Sequence, residues 1–152
     1  QFTVDGEPVN FPDTCSYKGM MFSDVPNVVQ TFGYINASWT LRADLTADWV
    51  CRLLNHLDAV GMLQCTPRIP EQDEPMLTLP WINDFSAGYM QRMMHLFPKQ
   101  GDRGPWRHTQ DYARDKKMIR GAPIDDGVLQ FTNPTSLSKL DTDVGKGRAN
   151  AA

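Results

Sequence analysis

The chain has 152 residues, enough for one domain with a sizeable core. Its 41% hydrophobic and 22% charged content excludes a disordered chain of low hydrophobicity. The formal net charge of -3 offers no basic field to nucleic acid or an anionic membrane, and no apolar run approaches the ~20 residues of a membrane span.

The chain opens on Gln1 rather than Met and enters at once into strand-like Phe2-Thr3-Val4, as a piece of a longer or processed polypeptide would. The polar N-terminus has no apolar h-region, so no signal peptide is expected. Phe2 to Val9 reads as a β-hairpin around Asp5-Gly6, because glycine tolerates the positive φ of a two-residue turn. Asn10 to Lys18 is irregular, Gly19 to Phe22 is a short apolar run, and Ser23 to Asn27 is a turn. Val28-Val29-Gln30-Thr31-Phe32, β-branched and aromatic, is expected as a buried strand.

Gly33 follows, then two helix-capping residues, Asn36 and Ser38. From Trp39 to about Leu63 the pattern is helical. Leu45, Trp49, Val50, Leu53, Leu54, Leu57 and Val60 recur at spacings of three and four, and Gly61 is the stop. Arg42, Asp44, Asp48 and Arg52 fall on other faces, with Asp48 and Arg52 in the favourable i,i+4 order. This helix, roughly 35 Å long at 1.5 Å per residue, is the dominant element. Gln64 to Trp81 carries four prolines and reads as a long loop. Ser86 is expected to cap a helix over Ala87 to Leu96, with Tyr89, Met93, Leu96 and Phe97 on its apolar side. Lys99 to Trp106 is a charged glycine-rich loop. A third helix is expected over Thr109 to Ile119, anchored by Tyr112 and Met118 and stopped at Gly121. Val128 to Phe131 is a short strand or extended piece, and Pro134 to Ala152 is expected as a disordered tail. The fold class is α+β: a short hairpin and one or two further strands with one long and two shorter helices. The segments are 1–63, 64–133 and 134–152.

No G-x-G-x-x-G fingerprint, P-loop, H-E-x-x-H or nucleophile elbow is present. His56, His95 and His108 are far apart and are expected to be exposed or half-buried rather than metal ligands. Cys15, Cys51 and Cys65 match neither a disulfide framework nor a zinc pattern. Reduced thiols in a cytoplasmic protein are expected, with Cys51 packed inside its helix. The residues alone therefore supply no self-sufficient catalytic apparatus and no metal site.

Two stretches remain as candidates. The Gly33–Trp39 junction is either a well-capped core turn or a helix N-terminus aimed at a polar ligand edge, lined by Tyr34 or Trp39. The Gly101–Trp106 loop, flanked by Lys99, Arg103 and Arg107, is either a solvated turn with one docked Trp or a phosphate-contacting, pocket-covering loop.

Met20 to Asn27, then Phe32-Gly33-Tyr34-Ile35-Asn36-Ala37-Ser38-Trp39-Thr40-Leu41 through Leu45, then Phe97 to Gly101 and Pro105-Trp106-Arg107, resemble the C-terminal part of class B flavin-dependent monooxygenases. The likeness is to the Baeyer–Villiger branch that includes the mycobacterial ethionamide-activating enzyme, and it covers Phe2 to Asn133. It implies a much longer parent that binds FAD and NADPH and inserts one oxygen atom beside a carbonyl or onto sulfur or nitrogen. That parent's glycine fingerprints and catalytic arginine lie upstream of these residues. The likeness places Val28–Phe32 as the strand closing the FAD domain. Gly33, Tyr34, Asn36, Ala37 and Ser38 then lie beside the flavin, and Trp39, Pro105 and Trp106 belong to the substrate pocket. No catalytic residue falls in this chain. The implied partners are the N-terminal FAD and NADPH domains and a ketone or sulfide substrate. The second reading is a noncatalytic association module that dimerises through the exposed face of the long helix.

Overall fold

The computed structural model describes residues 2–71, 75–82 and 87–134. The N-terminal hairpin forms as read: β1 (Thr3–Val4) pairs antiparallel with β2 (Glu7–Pro8). Asp5 and Gly6 both take positive φ, 52° and 90°, as a two-residue turn matching the strand twist requires. After a single 3-10 turn at Phe11–Asp13 comes a second hairpin, β3 (Ser16–Tyr17) with β4 (Met21–Phe22). Its turn places Lys18 and Gly19 in the left-handed region, at φ 50° and 67°. A residue type that resists this conformation hid the turn from a propensity reading.

Val28 to Phe32 is not a strand. The amide of Gln30 donates to the Met20 carbonyl (2.8 Å), but no neighbouring strand offers a ladder. β-propensity reports a fit to a pleated surface, and here that surface is absent. Phe32 acts instead as a side-chain hub, meeting Trp39, Trp81, Phe97 and His108 at centroid distances of 5.4 to 6.4 Å.

α1 (Trp39–Val60) is the dominant helix, and Gly61 caps it in the left-handed conformation, φ 67°. Leu45, Trp49, Leu53 and Leu57 are buried, while Leu54 and Val60 are exposed. At about 1.5–3 kcal/mol per buried large side chain, this stripe is what anchors the helix to the core. Arg42 and Thr46 share the buried face, so the assignment of Arg42 to a solvated face is corrected. Cys51 is exposed rather than packed, whereas Cys15 and Cys65 are buried, and all three are free thiols. Asp48 and Arg52 do not pair with each other. Arg52 reaches the carbonyls of Ile119 (2.8 Å) and Ala122 (2.7 Å), and Arg120 takes Asp44 (2.8 Å) and Asp48 (2.9 Å). Both arginines thus tie α1 to α3 (Tyr112–Gly121). Cross-helix partners outcompete the weak i,i+4 pair, which is worth a few tenths of a kcal/mol.

The expected loop from Gln64 to Trp81 contains two strands. β5 (Gln64–Pro67) pairs with β8 (Leu129–Thr132), and β6 (Thr78–Pro80) pairs with β7 (Lys99–Gly101), all antiparallel. Pro67 and Pro80 are each the last residue of a strand in a two-stranded ladder, where a missing N–H is tolerated. α2 (Gly88–Met93) runs into a 3-10 turn at Met94–Leu96. Its buried residue is Met90, while Tyr89, Met93 and Leu96 face outward, the reverse of the expected face. Ser86, the expected cap, and Asp73 and Glu74 of the preceding segment lie outside the described residues. α3 begins on Asp111, which accepts from the amides of Ala113 (2.9 Å) and Arg114 (3.1 Å). It is anchored by the fully buried Asp115 and Ile119, with Tyr112 and Met118 half-buried. The expected tail lies beyond the described residues from 135 onward. Among the described residues no helix is long and apolar enough to cross a membrane. The architecture is α+β, with one core that draws on Tyr17, Met20, Trp49, Cys65, Trp106, Ile119 and Leu129.

Candidate functional site

The junction is built by close backbone approach. A Cβ on Gly33 would lie 2.2 Å from Trp39 Cγ, so the Trp39 ring rests directly on the Gly33 backbone. That ring is 56% exposed, with its inner side against Phe32. Tyr34 is buried, and the next four residues, Ile35 to Ser38, are exposed. Ser38 caps α1 by accepting from the Thr40 amide (3.3 Å). The Ile35 amide is taken by Gln110 Oε1 (2.9 Å). One amide of the junction, that of Ile35, and the first-turn amide of Thr40 are therefore occupied within the chain. Asn36, read as a second cap, instead lines a cleft.

Beneath the junction lies a buried charge network. Asp115 accepts from Arg42 Nη1 (2.6 Å), from the Tyr34 hydroxyl (2.8 Å) and from the Thr109 hydroxyl (2.5 Å). The other Arg42 fork atom, Nη2, donates to the Lys18 carbonyl. A Cβ on Gly19 would meet that guanidinium at 2.4 Å, which is why the turn is glycine there. Burial and the bond to Asp115 push the Tyr34 phenol up to about 12. Tyr34 thus fastens the junction to α3 as a neutral donor.

His108 is buried, which corrects the expectation of an exposed or half-buried ring. Its Nδ1 is 3.4 Å from the Trp81 carbonyl and its Nε2 is 3.1 Å from Gln110 Nε2. The only assignment satisfying both contacts is a neutral ring that donates from Nδ1 and accepts at Nε2. Burial, helped by the nearby Arg42 cation, holds this imidazole at about 4. Gln100, also buried, accepts from the His108 amide (2.9 Å) and donates to the carbonyls of Pro80 (2.9 Å) and Trp81 (3.2 Å). Gln100, His108, Gln110 and Ile35 form a continuous relay from β7 to the junction.

A cleft of about 460 Å³ opens over this relay. Its walls are Ile35 and Asn36 from the junction, Ile82, the run Arg107 to Gln110, Gln100, and Arg114 from α3. Pro105 and Trp106 lie elsewhere. Trp106 is buried edge-on to Tyr17 (5.7 Å), and the Pro105 carbonyl accepts from the Lys18 amide (2.7 Å). With Ile69, Met76 and Val128 they border a separate cavity of about 220 Å³. Trp39 lines neither space. Asn36 is therefore brought together with the Arg107–Gln110 run, while Pro105 and Trp106 are kept apart from it.

Gln100, Gln110, Arg42 and Asp115 were missed by sequence reasoning. Arg42 carried a legible signal, since it stands three before Leu45 and seven before Trp49, on the apolar stripe itself. The cleft's amide and guanidinium donors fit the carbonyl edge of a polar ring. They include no glycine-rich loop opening a helix, so they do not fit a dinucleotide's diphosphate. Among the described residues no group of His, Cys, Asp or Glu could hold a metal ion.

The chain is 42% identical over 141 residues to the probable FAD-binding monooxygenase AlmA of Acinetobacter baylyi, covering 92% of this chain and 28% of the relative. It is 46% identical over 129 residues to the FAD-containing monooxygenase EthA of Mycobacterium tuberculosis, covering 85% of this chain and 26% of that protein. It is 38% identical over 128 residues to the putative FAD-containing monooxygenase MymA of the same species, covering 84% and 26%. The chain thus spans about a quarter of the length of these curated relatives. No protein-family model and no solved structure matches it.

Proposed function

We propose, from the premise that this chain belongs to the FAD-containing monooxygenases as a C-terminal part of them, that it completes the flavin site and covers the active site of a longer enzyme. The observation that supports this reading is the cleft at the Gly33–Trp39 junction, which Asn36 lines together with the exposed guanidinium groups of Arg107 and Arg114. Such donors stabilise negative charge that develops on a ring edge. Gly33, Tyr34, Asn36, Ala37 and Ser38 then border the flavin. Tyr34 and Gln110 hold the backbone in place, and Asn36, which lines the cleft, would donate to the ring edge. Trp39, Pro105 and Trp106 would serve a substrate side set apart from this cleft, Pro105 and Trp106 from the border of the smaller cavity. FAD supplies the redox and oxygen chemistry when bound, and the chain's own share is positioning and exclusion of water. The reaction is NADPH-dependent oxygenation of a ketone, Baeyer–Villiger fashion, or of sulfur or nitrogen.

The test is reconstitution. The chain is mixed with the complementary dinucleotide-binding part of the polypeptide, and NADPH oxidation is followed with a ketone and with a sulfide. Restored, substrate-dependent turnover is expected, and none at any ratio would sink the reading.

A second reading is favoured by the exposed apolar residues Leu54, Val60 and Leu63 on and after α1, and Tyr89, Met93 and Leu96 along and after α2. A chain that leaves such surface uncovered can act as an association module and dimerise to hide it. An absorbance spectrum taken across a sizing column separates the two. Flavin-bearing material supports the first reading, and a colourless dimer that restores no turnover supports the second.

A further inference from the structure

We infer that the cleft over the Gln100–His108–Gln110 relay is an oxyanion site, built to take a phosphate or carboxylate group on Arg107 and Arg114. The chain carries 18 acidic and 15 basic residues, yet among the described residues this cleft is lined by two arginines and by neither Asp nor Glu. The buried carboxylate nearest to it, Asp115, is held by the buried Arg42 and sends no charge outward. Among the described residues Asp111 is the acid beside a cleft arginine: its Oδ1 takes the amides that start α3, and its Oδ2 makes a loose, solvent-exposed ion pair with Arg114 Nε at 3.7 Å, a contact worth little that a bound anion can replace. Apart from Asn36, the neutral polar side chains of the lining are already bonded within the chain. Gln100 has both ends occupied, His108 has both nitrogens occupied, Gln110 spans His108 and the Ile35 amide, and the Thr109 hydroxyl donates to Asp115. What the cleft still offers a ligand is two exposed guanidinium groups and the Asn36 amide, all able to donate, between the apolar side chains of Ile35 and Ile82. Guanidinium forks match the paired oxygens of phosphate and carboxylate. The apolar walls suit a planar or aliphatic body attached to that group.

The inference stands on the cleft's own residues and does not require the flavin reading. The whole 152-residue chain is titrated with inorganic phosphate, adenosine monophosphate and benzoate, and followed by amide and arginine side-chain nuclear magnetic resonance. Saturable shifts centred on Arg107, Arg114 and Asn36 are expected. Arg107→Ala and Arg114→Ala should each weaken binding about tenfold, the loss of one charged hydrogen bond. Arg92→Ala, on exposed α2, should leave binding unchanged. Both cleft arginines are exposed, and an unchanged circular dichroism spectrum shows that their variants remain folded. Tighter binding of the nucleotide than of benzoate assigns the site to a phosphate carrier, and the reverse assigns it to a carboxylate ligand. Shifts that never saturate, that spread evenly over Lys116, Lys117 and Arg120, or that survive the double alanine variant overturn the inference. Turnover restored by reconstitution together with any of those three results would sink the oxyanion site and leave the flavin reading standing.

Discussion

Asp115 joins three parts of the molecule through one carboxylate. It is fully buried, and it holds α1 through Arg42, the junction through Tyr34 and the pre-helical turn through Thr109. Removing one partner of a buried ion pair strands the other charge in a medium that solvates it poorly, typically at about 3–5 kcal/mol. Asp115→Asn should therefore cost about that much in urea unfolding, while Tyr34→Phe, which removes one neutral donor, should cost about 1–2 kcal/mol. Equal costs would mean that the charge is not what the network is built on. His108 gives a pH signature of opposite origin. Its ring is neutral and held at about 4, against an ordinary value of 6.5, so the unfolded chain binds the proton more readily. The stabilisation is complete above 6.5 and is lost as pH falls through the window down to 4, amounting to about 3 kcal/mol at most. His108→Gln should flatten the stability slope inside that window and leave it unchanged above it.

At the scale of elements, α1 and α3 start on different caps. Ser38 satisfies one amide with a long bond, and Asp111 satisfies two with shorter ones. Asp111→Ala should then destabilise by about 1–2 kcal/mol and Ser38→Ala by about half of that, read as shifts in urea midpoint at unchanged slope. The Gly33 contact is tested without relying on stability. Of the four tryptophans, Trp49, Trp81 and Trp106 are buried and Trp39 is exposed, so acrylamide quenching reports mainly on Trp39. Gly33→Ala should push the Trp39 ring outward and raise the quenchable fraction, since the new Cβ would fall on Cγ at the root of that exposed side chain. An unchanged quenching curve would mean that the ring does not rest on Gly33.

These elements also show what a linear reading can reach. The stripe from Leu45 to Leu57 and the glycine stop at Gly61 were legible, because a helix buries one face by a rule that depends on spacing alone. The hairpin at Asp5-Gly6 was legible because its turn chemistry is local. The strand expected over Val28 to Phe32 failed, as did the loop expected over Gln64 to Trp81, for one reason. A ladder depends on a partner distant in sequence, and β5 finds β8 more than sixty residues on. The junction was legible as a turn feeding a helix. Its cleft was not, because Gln100, His108 and Gln110 acquire meaning only once β7 and the start of α3 are folded against Ile35 and Ile82.

At the scale of the whole molecule, the question is whether 1–63 and 64–133 can stand apart. The long helix spends its buried face on partners from the second segment. Ile119, Ile124 and Leu129 join Leu45, Trp49 and Leu53 in one cluster, and both inter-helix arginine clamps cross the boundary. The pairing of β5 with β8 then ties the residues just after α1 to those that end the described chain. Few of these contacts are local, so neither segment has a core to itself. Unfolding should therefore be a single transition, with tryptophan fluorescence and far-ultraviolet circular dichroism coinciding across the urea range. A polypeptide ending at Leu63 should lack the cooperative transition altogether, because the stripe of α1 would face water. Two separable transitions in the full chain, or a folded 1–63, would mean that the long helix is held by its own hairpins rather than by α3 and the β5–β8 ladder. The cleft between them would then be a contact between two independent units.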